Sequence, residues 1–174
     1  MPPERRPAFW APQEEFNAAR NWSDETYRHY RWAYYRLVEW VDRQIGRLLA
    51  ALDESGQADN TLVVFTSDHG DMMGAHRLVA KNFFYEESVR VPLLMRPARG
   101  AGGAGRACDA LVSNGQDLLP TLCDVAGIDA SSGLTGRSLK PMLEGRTPRD
   151  WRDELVLEVS PEMRLRWSSA PLSW

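Results

Sequence analysis

The sequence has 174 residues, 43% hydrophobic and 26% charged, with a formal net charge of -3. That is the balance of a globular chain long enough to bury a core. It carries no basic stripe of the kind nucleic acid selects, no run of 18 apolar residues fit to span a membrane, and no apolar h-region of a signal peptide near its start.

Residues 1–22 are Pro-rich at their start and carry no period, and they read as an arm. A helical pattern follows from about 24 to 54. Tyr34, Leu37, Val41, Ile45, Leu48 and Leu52 recur at steps of three and four, as one apolar helix face requires. Ser23 fits its N-cap, Asp24 and Glu25 its first turn, and Gly56 its C-terminal cap. The run Thr61–Thr66, TLVVFT, is β-branched, aromatic and continuously apolar, the pattern of a strand buried on both faces. A second strand is predicted over 89–96, VRVPLLMR, starting at an edge or bending at Pro92. Residues 97–111 form a Gly/Ala-rich loop. GQDLLPTLCDVAGI then predicts a helix with Asp117 as N-cap, Pro120 in the first turn and Gly127 as its stop. ELVLEV, 154–159, reads as a third strand. Helices alternating with buried strands argue an α/β layered domain with a mostly parallel sheet. Cys108 and Cys123 are too few for a disulfide framework or a zinc cluster, and read as small buried or half-buried thiols.

The strand at 61–66 breaks off into Ser67-Asp68-His69-Gly70. In open α/β sheets, functional groups collect beyond the carboxyl ends of strands. A carboxylate and a neutral imidazole there suit a divalent metal, and Gly70 lets the backbone turn beside them. Two adjacent donors do not make a metal site, however. From the pair alone, a capping Asp68 and a surface or satisfied core His69 explain the residues as well. The next stretch, GDMMGAHRLVAKNFFYEESVRVPLLMRP, adds His76 and, in a mostly apolar run, Lys81. A lysine near a metal supplies a fixed positive charge for a tetrahedral anion, whereas alone it is an ordinary surface lysine. Tyr85 to Arg90 read as a polar helical turn before the next strand.

The ordered series TLVVFTSDHGDMMGAHRLVAKNFFYEESVRVPLLMR resembles the metal-site segment of the sulfatases, in the alkaline-phosphatase-like superfamily. YYRLVEWVDRQIGRLLAALDESGQADN resembles the helix before that segment. VSNGQDLLPTLCDVAGI resembles the family's Asp-x-x-Pro-Thr helix, and GLTGRSLKPMLEG its Gly-Arg-Ser-Leu loop. The joint match runs over about residues 27–159. The resemblance implies that Asp68 and His69 ligate a divalent ion, calcium first and manganese or magnesium as alternatives. It implies that Lys81, twelve residues beyond His69, contacts the sulfate of a small-molecule or carbohydrate ester. His76 matches a recurrent position whose role stays open between catalysis and structure. Glu86 and Arg90 are assigned to fixing the loop and strand, and Asp71 and Met72 to the loop itself.

The family's nucleophile is a formylglycine made in a Cys/Ser-x-Pro-x-Arg motif. Neither Cys108 nor Cys123 lies in one, and Ser169-Ala170-Pro171-Leu172-Ser173 lacks the arginine. In the family this motif lies upstream, with an acidic pair that completes the metal site. The expectation is therefore a partial sulfatase catalytic domain over 23–174, cut at both ends. It should be catalytically silent alone, with an exposed sheet edge suited to pairing with another chain. A phosphonate monoester hydrolase or phosphodiesterase of the same superfamily, and a non-catalytic remnant, are the alternatives. The resemblance fixes neither the ester nor the compartment.

Overall fold

The computed structural model describes residues 18–81, 83–98, 105–146, 148–160 and 163–168. The expected arm falls outside the described residues up to residue 17, as do positions 99–104 of the Gly/Ala loop and the Ser169–Ser173 stretch. Ala18–Asn21 form a single 3-10 turn.

Helix α1 spans Asp24–Glu54. Its start and stop follow the sequence signals. The Ser23 Oγ accepts the Thr26 N–H at 3.1 Å, and Gly56, two residues past the end, takes φ 71°. The apolar face is a different matter. Tyr27 is the buried residue of this helix, while Leu37 is 63% and Leu48 70% exposed. Periodicity says which face of a helix seeks apolar cover. It does not say that the cover lies among these residues.

A 3-10 turn at Ala58–Asn60 leads into β1, Val63–Thr66. Strand β2, Leu93–Arg96, lies beside it with Val63 opposite Arg96 and Thr66 opposite Leu93. This pair runs antiparallel, so the expected parallel pairing is not what these two strands adopt. The connection leaves from Thr66 and returns at Leu93, at the same end of the pair, and so behaves as a wide hairpin; a parallel pair needs a crossover to the opposite end. Pro92 stays just outside the ladder, where its missing N–H costs nothing. Neither strand is buried on both faces, since Phe65 is 40% and Leu94 64% exposed. A short helix α2, Glu86–Val89, precedes β2, as the polar stretch there predicted. Strands β3, Glu154–Ser160, and β4, Met163–Ser168, pair in a second two-stranded sheet.

The chain divides into two compact units, and the boundary falls between Asp68 and His69. The first joins α1 to His69–Val91. Its core is Met72, Leu78 and Phe83, with Ala75 and Tyr85 packed against them. Met72, expected to be a loop residue, is fully buried.

The second unit contains β1, β2 and the helices α3, Asn114–Ala126, and α4, Lys140–Leu143. Helix α3 starts three residues before the predicted cap, behind Ser113, which moves Pro120 from the first turn to the helix interior. Proline there cannot donate to the carbonyl four residues back, that of Gln116. Gly136 packs against this carbonyl so closely that a Cβ would lie 1.8 Å from its oxygen. Gly127 closes the helix in the left-handed region, with the Ile128 N–H on the Cys123 carbonyl at 2.9 Å.

Asp117 does not cap α3 but anchors it. Its carboxylate is fully buried. It accepts the N–H groups of Ser113 and Arg137, each at 2.8 Å, and a two-pronged contact from Arg152 at 2.5 and 2.7 Å. Burial would raise this carboxyl's pKa, but the Arg152 pair and the two backbone donors outweigh it and hold it below the usual carboxylate range. Beyond it, the Thr121 Oγ1 accepts the Leu139 N–H at 2.8 Å. Asp124, lowered chiefly by its bond from the Ser138 hydroxyl and also by Lys140, ties down the start of α4.

Candidate active-site segment

Asp68 stands two residues beyond β1, as its sequence position requires. The Ser67 Oγ lies 3.4 Å from its Oδ1. The turn is fastened from α3, where the Asn114 Nδ2 donates to the Ser67 carbonyl at 2.5 Å. Sequence reasoning missed Asn114, because a contact across 47 residues leaves no local signal.

Across the unit boundary, His69 is held at both ring nitrogens. Nδ1 is 2.7 Å from the Gly70 carbonyl oxygen. That oxygen can only accept, so Nδ1 carries the proton and Nε2 presents its lone pair. The Lys81 Nζ lies 2.7 Å from this lone pair. Two of the predicted site residues are therefore in direct contact. His76 is engaged elsewhere. Its ring stacks on Tyr85 at 3.8 Å and 9°, and its Nε2 is 3.9 Å from Glu87 Oε1.

The loop that carries these groups is tightly built. The Gly70 N–H donates to the Ser88 carbonyl at 2.8 Å. A Cβ on Gly70 would sit 2.0 Å from the Glu87 carbonyl oxygen, so glycine serves close approach here rather than a special turn. Asp71, expected to be a plain loop residue, forms an Asx turn with the Met73 N–H at 2.8 Å. It also accepts the Tyr30 hydroxyl from α1 at 3.2 and 3.3 Å. Burial, and next the Asp71 carboxylate, raise the pKa of the Tyr30 phenol. Met73, His76, Arg77 and Ala80 all take positive φ between 51° and 62°, conformations that a Cβ disfavours. Glu86 and Arg90 pair with each other at 3.1 Å over α2, both exposed.

The described residues meet the needs of a divalent ion in part. The His69 ring has one N–H on a backbone carbonyl, as ligating histidines do, but the lone pair of its other nitrogen is engaged by the Lys81 ammonium, which a metal ion would have to displace. Asp68, the residue before His69 in sequence, carries hard oxygens. Among the described residues, however, no group of three or more His, Cys, Asp or Glu could hold an ion. Calcium takes six to eight oxygen ligands. The donors present fit a share of such a site and not the whole of it. Cys108 is exposed and Cys123 partly buried, so the burial expected of both thiols fails for Cys108.

The sulfatase family model matches residues 3–128. An N-acetylglucosamine-6-O-sulfatase of Bacteroides thetaiotaomicron is 44% identical over 128 residues, covering 72% of this chain and 23% of the relative. The crystal structure of a putative sulfatase from Bacteroides thetaiotaomicron superposes with a TM-score of 0.73 at 36% identity, over 79% of this chain and 30% of that one. A phosphonate monoester hydrolase of Agrobacterium radiobacter gives 0.73 at 41% identity, over 78% and 27%. These neighbours place the chain in the α/β class, and it spans about a quarter of the length of such relatives. On its motifs, its fold and these matches, the chain belongs to the sulfatase family.

Proposed function

We propose that these residues supply part of the catalytic site of a sulfate ester hydrolase. The observation that carries the reading is the contact between Lys81 Nζ and His69 Nε2 at 2.7 Å, which joins a candidate anion-binding charge to a candidate metal ligand. Sulfatases generally use a divalent metal ion. Asp68 and His69 would hold it, calcium by preference given the hard carboxylate, and when bound it would polarise a sulfate oxygen. Lys81 balances charge on the ester's sulfate group as negative charge builds there. Tyr85 and Glu87 hold His76, which serves as a positioning residue on the same loop. The Gly70 carbonyl keeps the His69 proton on Nδ1, so Nε2 presents a lone pair, which the Lys81 ammonium holds and a metal ion would take over.

No Cys/Ser-x-Pro-x-Arg motif occurs in the 174 residues, so hydrolysis requires a nucleophile from outside them, and these residues alone should be silent toward esters. The phosphonate monoester hydrolase neighbour supports a second reading, in which the scissile group is a phosphonate ester. Both groups are tetrahedral oxyanions and place the same demand on Lys81.

Calorimetric titration with calcium and manganese tests the metal half. Binding should be weak and lost in Asp68→Ala and in His69→Ala. Undiminished binding in both variants would remove the pair from the site. Any turnover of a sulfate ester by the purified chain would overturn the partial-site reading.

A further inference from the structure

We infer that the cavity between the first turns of α1 and the Gly74–Arg77 segment is a second anion subsite, fitted to a sulfate group other than the one cleaved. The inference rests on the sulfate-ester reading for the identity of the anion. The site itself stands on its own geometry.

The cavity measures about 280 Å³ and is lined by Asp24, Tyr27, Arg28, Arg31, Gly74 and Arg77. The lining carries three arginines and one carboxylate, and the exposed Asp24 carboxylate pairs with one of them, Asp24 Oδ1 lying 3.7 Å from Arg77 Nη1. The three arginines differ in how far the protein uses them. Arg77 is fixed as a wall: its Nε donates to the Arg20 carbonyl at 3.1 Å and its Nη2 to the Trp22 carbonyl at 2.6 Å. Its guanidinium also lies 5.5 Å from the centre of the Tyr27 ring. Arg31 has one long bond, Nη1 to the Met73 carbonyl at 3.5 Å. Arg28 makes no hydrogen bond or ion pair among the described residues.

Each guanidinium offers five N–H donors. Arg28 is exposed and Arg31 half-buried, so most of their donors meet water and no acceptor among the described residues, in a site with excess positive charge. An oxyanion supplies both the acceptors and the charge, and arginine forks match its geometry. The volume lies near the lower limit for small-molecule pockets, about 300 Å³. That suits one charged group with part of a sugar ring rather than a whole oligosaccharide. Gly74 allows the wall to close, since a Cβ there would lie 2.7 Å from the Tyr27 ring. Gly74 and Arg77 flank His76 on the loop that runs from His69 to Lys81. On the sulfate-ester reading, an anion held here in addition to one at Lys81 would mark a substrate bearing at least two sulfates.

The experiment is calorimetric titration of the full chain with sodium sulfate, then with a monosulfated and a disulfated glucosamine. Arg28→Gln, Arg31→Gln and Lys81→Ala are compared with the unaltered chain. Arg28→Gln breaks no contact among the described residues, so its effect reports binding and not folding; circular dichroism checks the others. Sulfate should bind, Arg28→Gln and Arg31→Gln should each weaken it about ten-fold, and Lys81→Ala should not abolish it. The disulfated sugar should bind more tightly than the monosulfated one only while Arg28 is present. Absence of sulfate binding at millimolar concentration, or binding indifferent to Arg28 and Arg31, overturns the subsite. Binding that depends on Lys81 alone overturns it too, yet leaves the Lys81 reading standing. Binding that depends on the arginines alone supports the subsite and tells against Lys81.

Discussion

At the scale of single residues, two contacts organise the chain: Lys81 Nζ against His69 Nε2, and the buried Asp117 carboxylate against Arg152. In the sequence, Asp68 and His69 stand out because they interrupt apolar residues at a strand end, and Lys81 because it sits in a mostly apolar run. Asn114, Tyr30 and Arg152 act across 47, 41 and 35 residues, and one sequence holds no trace of such pairings. Asp117 shows the cost of that blindness. Its sequence context suggested a cap, but it is a buried ion-pair anchor. Asp117→Asn should destabilise the fold by about 3–5 kcal/mol, because Arg152, with its side chain 11% exposed, keeps its charge without a partner. Urea unfolding at neutral pH measures this. The sign of the pH effect follows from the lowered carboxyl. Asp117 stabilises the folded chain above its unfolded pKa of about 3.9. That contribution is lost as pH falls below about 4 toward the folded value. Unfolding midpoints at pH 6 and pH 3 should therefore converge in Asp117→Asn relative to the unaltered chain.

At the scale of elements, the termini of α1 and the end of α3 could be read directly, because caps are local chemistry: Ser23, Gly56 and Gly127 each act within a few residues of themselves. The start of α3 was misplaced because Asp117 looks like a cap and Pro120 like a first-turn proline. Both cues are local, and the tertiary contacts of Asp117 and Gly136 override them. Strand direction was equally hidden. Apolar runs identify buried strands, but the route of the connection decides how they pair. The Gly136 contact gives a clean test. Gly136→Ala should cost about 1–3 kcal/mol by pushing the segment off the Gln116 carbonyl. Gly133→Ala, where a Cβ meets nothing within 4 Å, should be close to neutral. Thermal unfolding of the two variants side by side separates steric contact from the general effect of replacing glycine.

At the scale of the whole molecule, the exposed apolar face of α1 dominates. Trp32, Leu37, Trp40, Val41 and Leu48 are each at least 45% exposed. Large exposed apolar side chains in such number mark interaction sites or aggregation liabilities. The chain should bind a hydrophobic dye strongly while folded, and Leu37→Lys with Leu48→Lys should reduce that signal by about half without loss of helical dichroism. Unchanged dye binding would assign the signal to another surface, such as the faces of β1 and β2.

The run of left-handed residues between Met73 and Ala80 bears on how this loop tolerates change. Each non-glycine residue held at positive φ costs roughly 1–2 kcal/mol, and glycine removes most of that cost. A saturation library over Met73, His76, Arg77 and Ala80, sorted for folded protein alone, should therefore enrich glycine and asparagine at Ala80, which has no side-chain function to lose. The same library sorted for anion binding should reject glycine at Arg77. The gap between the two enrichments would map, position by position, where the loop gives up stability to keep a side chain in place.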